Sequence, residues 1–149
     1  MPKLPYNSVL AIALAAAKKA PRKRPQHLES AEQRLFVKRW RTDPRTRELP
    51  ACAVPNGGRR SVREAVTLKA EGTEPGVPDW LCFVPSRIDG THGLALEFKS
   101  PTGKGRVSDT QKRWHSLLRK YGWRVEIVTT AHDAWAVVTH HLGYTDAQT

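Results

Sequence analysis

Residues 78–99 read PDWLCFVPSRIDGTHGLALEFK, and this stretch decides the fold. Its opening, 79–84, is a near-continuous apolar run of strand length behind Pro78, and 93–99 is a second strand. Alternation puts Leu94, Leu96 and Phe98 on one face of that second strand and Ala95, Glu97 and Lys99 on the other. The turn over 86–90 is short enough to predict a hairpin, in which Asp79 and Glu97 converge. A carboxylate inside an apolar strand is costly unless it is paired or bound to a cation. Two such groups, a backbone carbonyl (Phe98) and waters make a hard-oxygen donor set suited to Mg²⁺ or Mn²⁺. Lys99, on the face of Glu97, can orient or help deprotonate an attacking water and offset charge on a phosphate. The plainer alternative is a surface Glu97–Lys99 ion pair on an edge strand, with Asp79 capping a turn.

Working outward, 29–41 is a helix with Leu28, Leu35, Phe36 and Trp40 as its apolar stripe, stopped by Asp43-Pro44. A short strand over 51–54 ends at Pro55-Asn56-Gly57-Gly58. Ser61 and Glu64 form a capping box for a helix that closes at Gly72, with Val62, Ala65 and Val66 on its inner face. Beyond Lys99 comes a glycine-rich basic loop. Ser108 and Gln111 then form a second capping box for a helix carrying Trp114, Leu117, Leu118 and Tyr121. A strand over 123–129 and a helix over 131–142 complete the order α-β-α-β-β-α-β-α. The expected architecture is α/β, a small mixed sheet flanked by helices, with Trp114 and Trp135 in the core.

The chain of 149 residues carries 25 Lys+Arg against 14 Asp+Glu, a formal net charge of +11 that points to a polyanionic partner. Partitioned, the charge is +6 over residues 1–27, +4 over 28–60 and +1 over 61–149. The expected organisation is a basic N-terminal arm (1–27), one folded domain (28–143) and a tail (144–149). Within the arm, the apolar run 8–17 looks like the core of a secretory signal, but KKAPRKR follows at once and favours the arm. No run approaches the ~18 apolar residues of a membrane span. Cys52 and Cys82 show no CxxC spacing, which fits a reducing, cytoplasmic setting. The six histidines lack zinc-ligand spacing, and His92 is the one expected nearest the acidic residues. Asn56, Gly57, Gly58, Arg59 and Arg60 are candidate nucleic-acid contacts, because glycines admit a phosphate closely and arginines pair with it. Lys104 and Arg106 form a second, shorter candidate.

Three segments carry a more specific signal: VPNGGRRS (54–61), EAVTLKAEGTEPGVPDWL (64–81) and HGLALEFKSPTGKGRVSDTQKRWHSLLRKYGWRVEIV (92–128). Their PD…ExK pattern resembles the PD-(D/E)xK nuclease superfamily, and their order and spacing resemble its VRR-NUC branch over roughly 28–142. That resemblance implies a restriction-endonuclease-like core and a Mg²⁺/Mn²⁺-dependent DNA endonuclease. Asp79 and Glu97 would be metal ligands and Lys99 the catalytic lysine. A glutamate of the first helix completes the acidic site (Glu29, four residues before Gln33, with Glu32 the alternative), and Gln111 supports it. It also implies a stand-alone enzyme of phage or prophage kind in a bacterial or phage-infected cell. The activity could be directed at branched DNA such as Holliday junctions and exerted as a homodimer, with no organic cofactor or membrane. The competing class is a non-catalytic basic DNA-binding module.

Overall fold

The computed structural model describes residues 26–55, 62–103 and 105–144. In chain order it contains α1 (Gln26–Thr42), β1 (Ala51–Ala53), α2 (Val62–Ala70), β2 (Trp80–Cys82) and β3 (Leu94–Phe98). Then follow α3 (Asp109–Lys120), β4 (Arg124–Val128) and α4 (Ala131–His141). The eight elements run in the expected order and form a four-stranded mixed sheet ordered β1-β2-β3-β4. β1–β2 and β2–β3 are antiparallel, whereas α3 carries the chain across so that β4 lies parallel to β3.

β3 is the axis of the molecule, with all five residues buried. Leu94, Leu96 and Phe98 join Phe36, Trp40, Trp80, Trp135, Val138 and Leu142 in the core, so α1 and α4 cover that face. Trp80, opposite Leu96 in the ladder, meets the Phe36 and Trp40 rings edge-on at 5.0 and 4.6 Å. The opposite face of β3, which carries Glu97, is met by Gln111 and His115 of α3.

Three expected apolar faces are corrected. In α1, Phe36 and Trp40 are buried, but Leu28 and Leu35 are 44% and 57% exposed. At about 100° per residue, Glu29, Gln33, Phe36 and Trp40 fall within one arc of about 60°, and the two leucines lie outside it. The buried stripe of α1 therefore carries polar residues at its N-terminal end, where the site lies. In α2, Ala65 and Val66 are exposed and only Leu68 is half-buried, because this short helix stands beside the sheet rather than on it. Its proposed Ser61 cap lies outside the described residues. The Ser108 box on α3 forms as expected: Gln111 N donates to Ser108 Oγ at 3.3 Å and Ser108 N to Gln111 Oε1 at 2.9 Å. On that helix Trp114 is only half-buried and Tyr121 is exposed, so His115 is its one buried residue. At the C-terminal side, packing extends past Gly143 to Tyr144, whose hydroxyl donates to the Arg45 carbonyl at 3.0 Å.

Candidate active site at the end of β3

The hairpin brings Asp79 to the residues around Glu97, as its register requires: Trp80 pairs with Leu96, so Asp79 lies one step beyond. Three elements hold Asp79. Its carbonyl accepts from Val54 N at 2.8 Å and from Gln33 Nε2 of α1 at 3.3 Å, and its Oδ2 accepts from Phe98 N at 2.9 Å.

Glu97 is 1% exposed. Its Oε1 accepts from Lys99 Nζ at 2.8 Å and from Gln111 Nε2, while its Oε2 is buried with no hydrogen-bond partner. Lys99 Nζ also donates to Gln111 Oε1 at 3.2 Å, so glutamate, lysine and glutamine close a three-membered ring. Gln111 serves this ring and the helix cap at once, since the same Oε1 accepts from Ser108 N. The expectation of an edge-strand surface pair does not hold: β3 is central, and the pair is buried.

Burial and the nearby Asp79 push Glu97 up to about 7 against the pull of Lys99, and Glu29 adds to the rise. Burial also raises Glu29, with Asp79 adding and Lys99 opposing. Glu29 thus shares the electrostatic field of Asp79, Glu97 and Lys99. Glu32 is committed elsewhere, its Oε2 accepting from Ala131 N at the start of α4 at 2.8 Å. The two first-helix glutamates are therefore distinguished by position: Glu29 faces the cluster and Glu32 caps a helix.

The expectation for His92 is corrected. It is exposed at the far end of β3, where its Nδ1 lies 3.0 Å from the Tyr121 carbonyl. The histidine at the cluster is His115, whose buried Nε2 lies 3.7 Å from Glu97 Oε2 and also lacks a hydrogen bond. Burial lowers its basicity, and Arg119 and Lys99 act in the same direction. Its place at i+4 from Gln111 was the signal available in the sequence, as Gln33 at i+4 from Glu29 was on α1.

Two glycines frame the cluster. Gly76 has φ +89°, and a Cβ there would lie 2.6–2.8 Å from backbone atoms of Thr110 and Gln111. Gly76→Ala should destabilise the protein by about 2 kcal/mol, through the left-handed conformation and the backbone clash together. Thermal denaturation would check this, and an unchanged Tm would contradict it. Gly105 sits against the Lys99 stem, where a Cβ would be 3.2 Å from Cδ. This lays Gly105 against the lysine, with Arg106 exposed. Asn56, Gly57, Gly58, Arg59, Arg60 and Lys104 lie outside the described residues.

The VRR-NUC domain profile matches residues 15–132, most of the chain and all of the cluster just described. The chain belongs to the VRR-NUC domain family. A solved structure described as a VRR_NUC domain protein superposes with a TM-score of 0.64 at 20% identity, covering 79% of this chain and 90% of that one. This second likeness speaks for the fold of the VRR-NUC domain. None of the curated proteins matches the chain significantly. Among the described residues of this VRR-NUC domain, no group of three or more His, Cys, Asp or Glu side chains is placed to hold a metal ion. The carboxylates at the end of β3 are Asp79 and Glu97, with Glu29 in their field.

Proposed function

We propose that the chain is a Mg²⁺- or Mn²⁺-dependent deoxyribonuclease of the PD-(D/E)xK type, hydrolysing phosphodiester bonds at the Asp79–Glu97–Lys99 cluster. The observation that carries this reading is the buried carboxylate Glu97, raised by its burial and then by its acidic neighbours, with one oxygen that accepts no hydrogen bond. Mutual repulsion among Asp79, Glu97 and Glu29 is what a divalent cation relieves, and the oxygen-only donors fit a hard ion. Asp79, Glu97 and the Phe98 carbonyl would hold it, with Glu29 completing the acidic set. An open set suits Mg²⁺, which keeps waters and accepts phosphate oxygens alongside one or two carboxylates. When bound, the ion supplies Lewis-acid polarisation of the phosphate and a more acidic water.

The side chains do the rest. Lys99 is held by Glu97 and Gln111 on the carboxylate's own oxygen, and from there it can orient the attacking water or offset charge on the phosphate. Gln111 fixes both partners of that ion pair and is a positioning residue. Gln33 does the same for Asp79 through its carbonyl. The substrate we propose is DNA, held partly by the basic arm. If the targets are branched junctions, a homodimer would supply two clusters for two strands. The two cysteines are free, in keeping with a reducing cytoplasm.

Cleavage of linear duplexes, flaps and four-way junctions in Mg²⁺, Mn²⁺ or EDTA tests the proposal. Cutting that requires metal is expected, and DNA binding without cutting in any metal would leave only a binding module. Glu29→Gln should lower cutting by at least tenfold and leave Tm nearly unchanged. Glu32→Ala should do the reverse, keeping activity while the loss of its acceptor at the start of α4 costs about 1 kcal/mol. If the two variants exchange these effects, the assignment of the first-helix acid is wrong.

A further inference from the structure

α1 has a second face. Arg34, Lys38 and Arg41 fall within about 60° of arc on the side opposite Phe36 and Trp40. All three are exposed. Among the described residues, none of them ion-pairs with a carboxylate. Arg39, on the same helix, is engaged over the Trp135 ring at 4.2 Å. The three unpaired cations line an open groove of about 590 Å³ between α1 and the edge strand β1, together with Val37, Thr42 and Ala53. At one end the groove is lined by Gln33, whose amide holds the Asp79 carbonyl.

We infer that this groove is the track along which one strand of the DNA backbone enters the site. The inference rests on the nuclease reading above. From Arg34 to Arg41 the helix rises through seven steps, about 10 Å. One strand of a duplex presents a phosphate about every 3.4 Å along its axis, so the row matches roughly three phosphates. The apolar floor of Val37 and Ala53 and the aliphatic stems of the basic residues suit the sugar edge. Gln33 then links the track to Asp79, so a backbone seated on α1 continues toward the carboxylates. The contacts carry no base information, and binding through them is independent of sequence.

The test compares two triple variants of the full chain, both exposed and both removing three charges. One is Arg34→Gln/Lys38→Gln/Arg41→Gln in the groove, and the other is Lys112→Gln/Arg113→Gln/Lys120→Gln on α3. Circular dichroism confirms folding, and fluorescence anisotropy follows a labelled 20-base-pair duplex in EDTA over a salt series. The groove triple is expected to lose at least tenfold in affinity and to flatten the log K–log salt slope by about 2.7, with the α3 triple near wild type. Equal losses for both triples would mean that only net charge matters, and would overturn the track. So would wild-type binding by the groove triple, a change confined to its sedimentation behaviour, or no DNA binding by the wild type. If the groove result holds but no metal supports cutting, the track stands and the nuclease reading falls.

Discussion

Lys99→Met will reduce DNA cleavage by about 10³-fold or more while leaving metal-free DNA binding essentially intact. The expectation follows from the ring of hydrogen bonds. Lys99 Nζ is the cation of a pair whose carboxylate is almost completely buried, and Gln111 locks it in place. Removing a positioned proton donor or acceptor at a reacting centre typically costs 10²–10⁴-fold. Here the loss also strips Glu97 of the charge that favours its ionised form, so the carboxylate moves further toward its neutral state. Glu97→Gln should be equally inactive by a different route, losing the donor to the cation. The two variants separate in metal titrations followed by Tm. Lys99→Met should retain a Mg²⁺-induced stabilisation at high pH, and Glu97→Gln should not. Substantial cleavage by either variant would remove the cluster from the reaction.

As pH rises from about 4.5 to about 7, the metal-free wild type will lose stability relative to Glu97→Gln. Glu97 stands at about 7 in the folded chain against an ordinary 4.5, so between those values the native state holds more protons than the unfolded one. Stability from this group is complete below 4.5, declines through the window and is gone above 7. The shift corresponds to on the order of 3 kcal/mol. His115 and His141 run oppositely: both are lowered, chiefly by burial, and their contribution is lost as pH falls. The difference between wild type and Glu97→Gln isolates the carboxylate from these histidines. Saturating Mg²⁺ should stabilise the wild type more at pH 8 than at pH 6, because only the ionised carboxylate binds it. At a hundred times Kd the gain is about 2.7 kcal/mol. Parallel pH profiles for the two proteins would show that Glu97 is not the strained group.

Much of this was written in local pattern. The β2–β3 hairpin follows from two apolar runs and their alternation, and that alone brings Asp79 beside Glu97. The Ser108–Gln111 box needs only neighbours to form, so it was legible too. What escaped depends on partners distant in the chain. Leu28 and Leu35 look like core residues, but where α1 meets the sheet was decided by the edge-on packing of Phe36 and Trp40 against Trp80, which the helix sequence does not contain. The same rotation separates Glu29 from Glu32, since one then faces β3 and the other reaches Ala131. His115 escaped because a histidine one turn along a helix is unremarkable until the strand beneath it is known to carry Glu97. α2 lacked enough large apolar side chains to be held on the sheet, and alternation could not reveal that.

The double duty of Gln111 has a consequence for how the molecule fails. Its amide caps α3 and also bridges Lys99 to Glu97, so fraying of the first helical turn and disassembly of the cluster are a single opening event. Local openings of this kind need far less free energy than global unfolding. On heating, function would therefore be extinguished reversibly at a lower temperature than the one at which the sheet melts. The interval between the two temperatures would measure how tightly one glutamine holds a helix end closed.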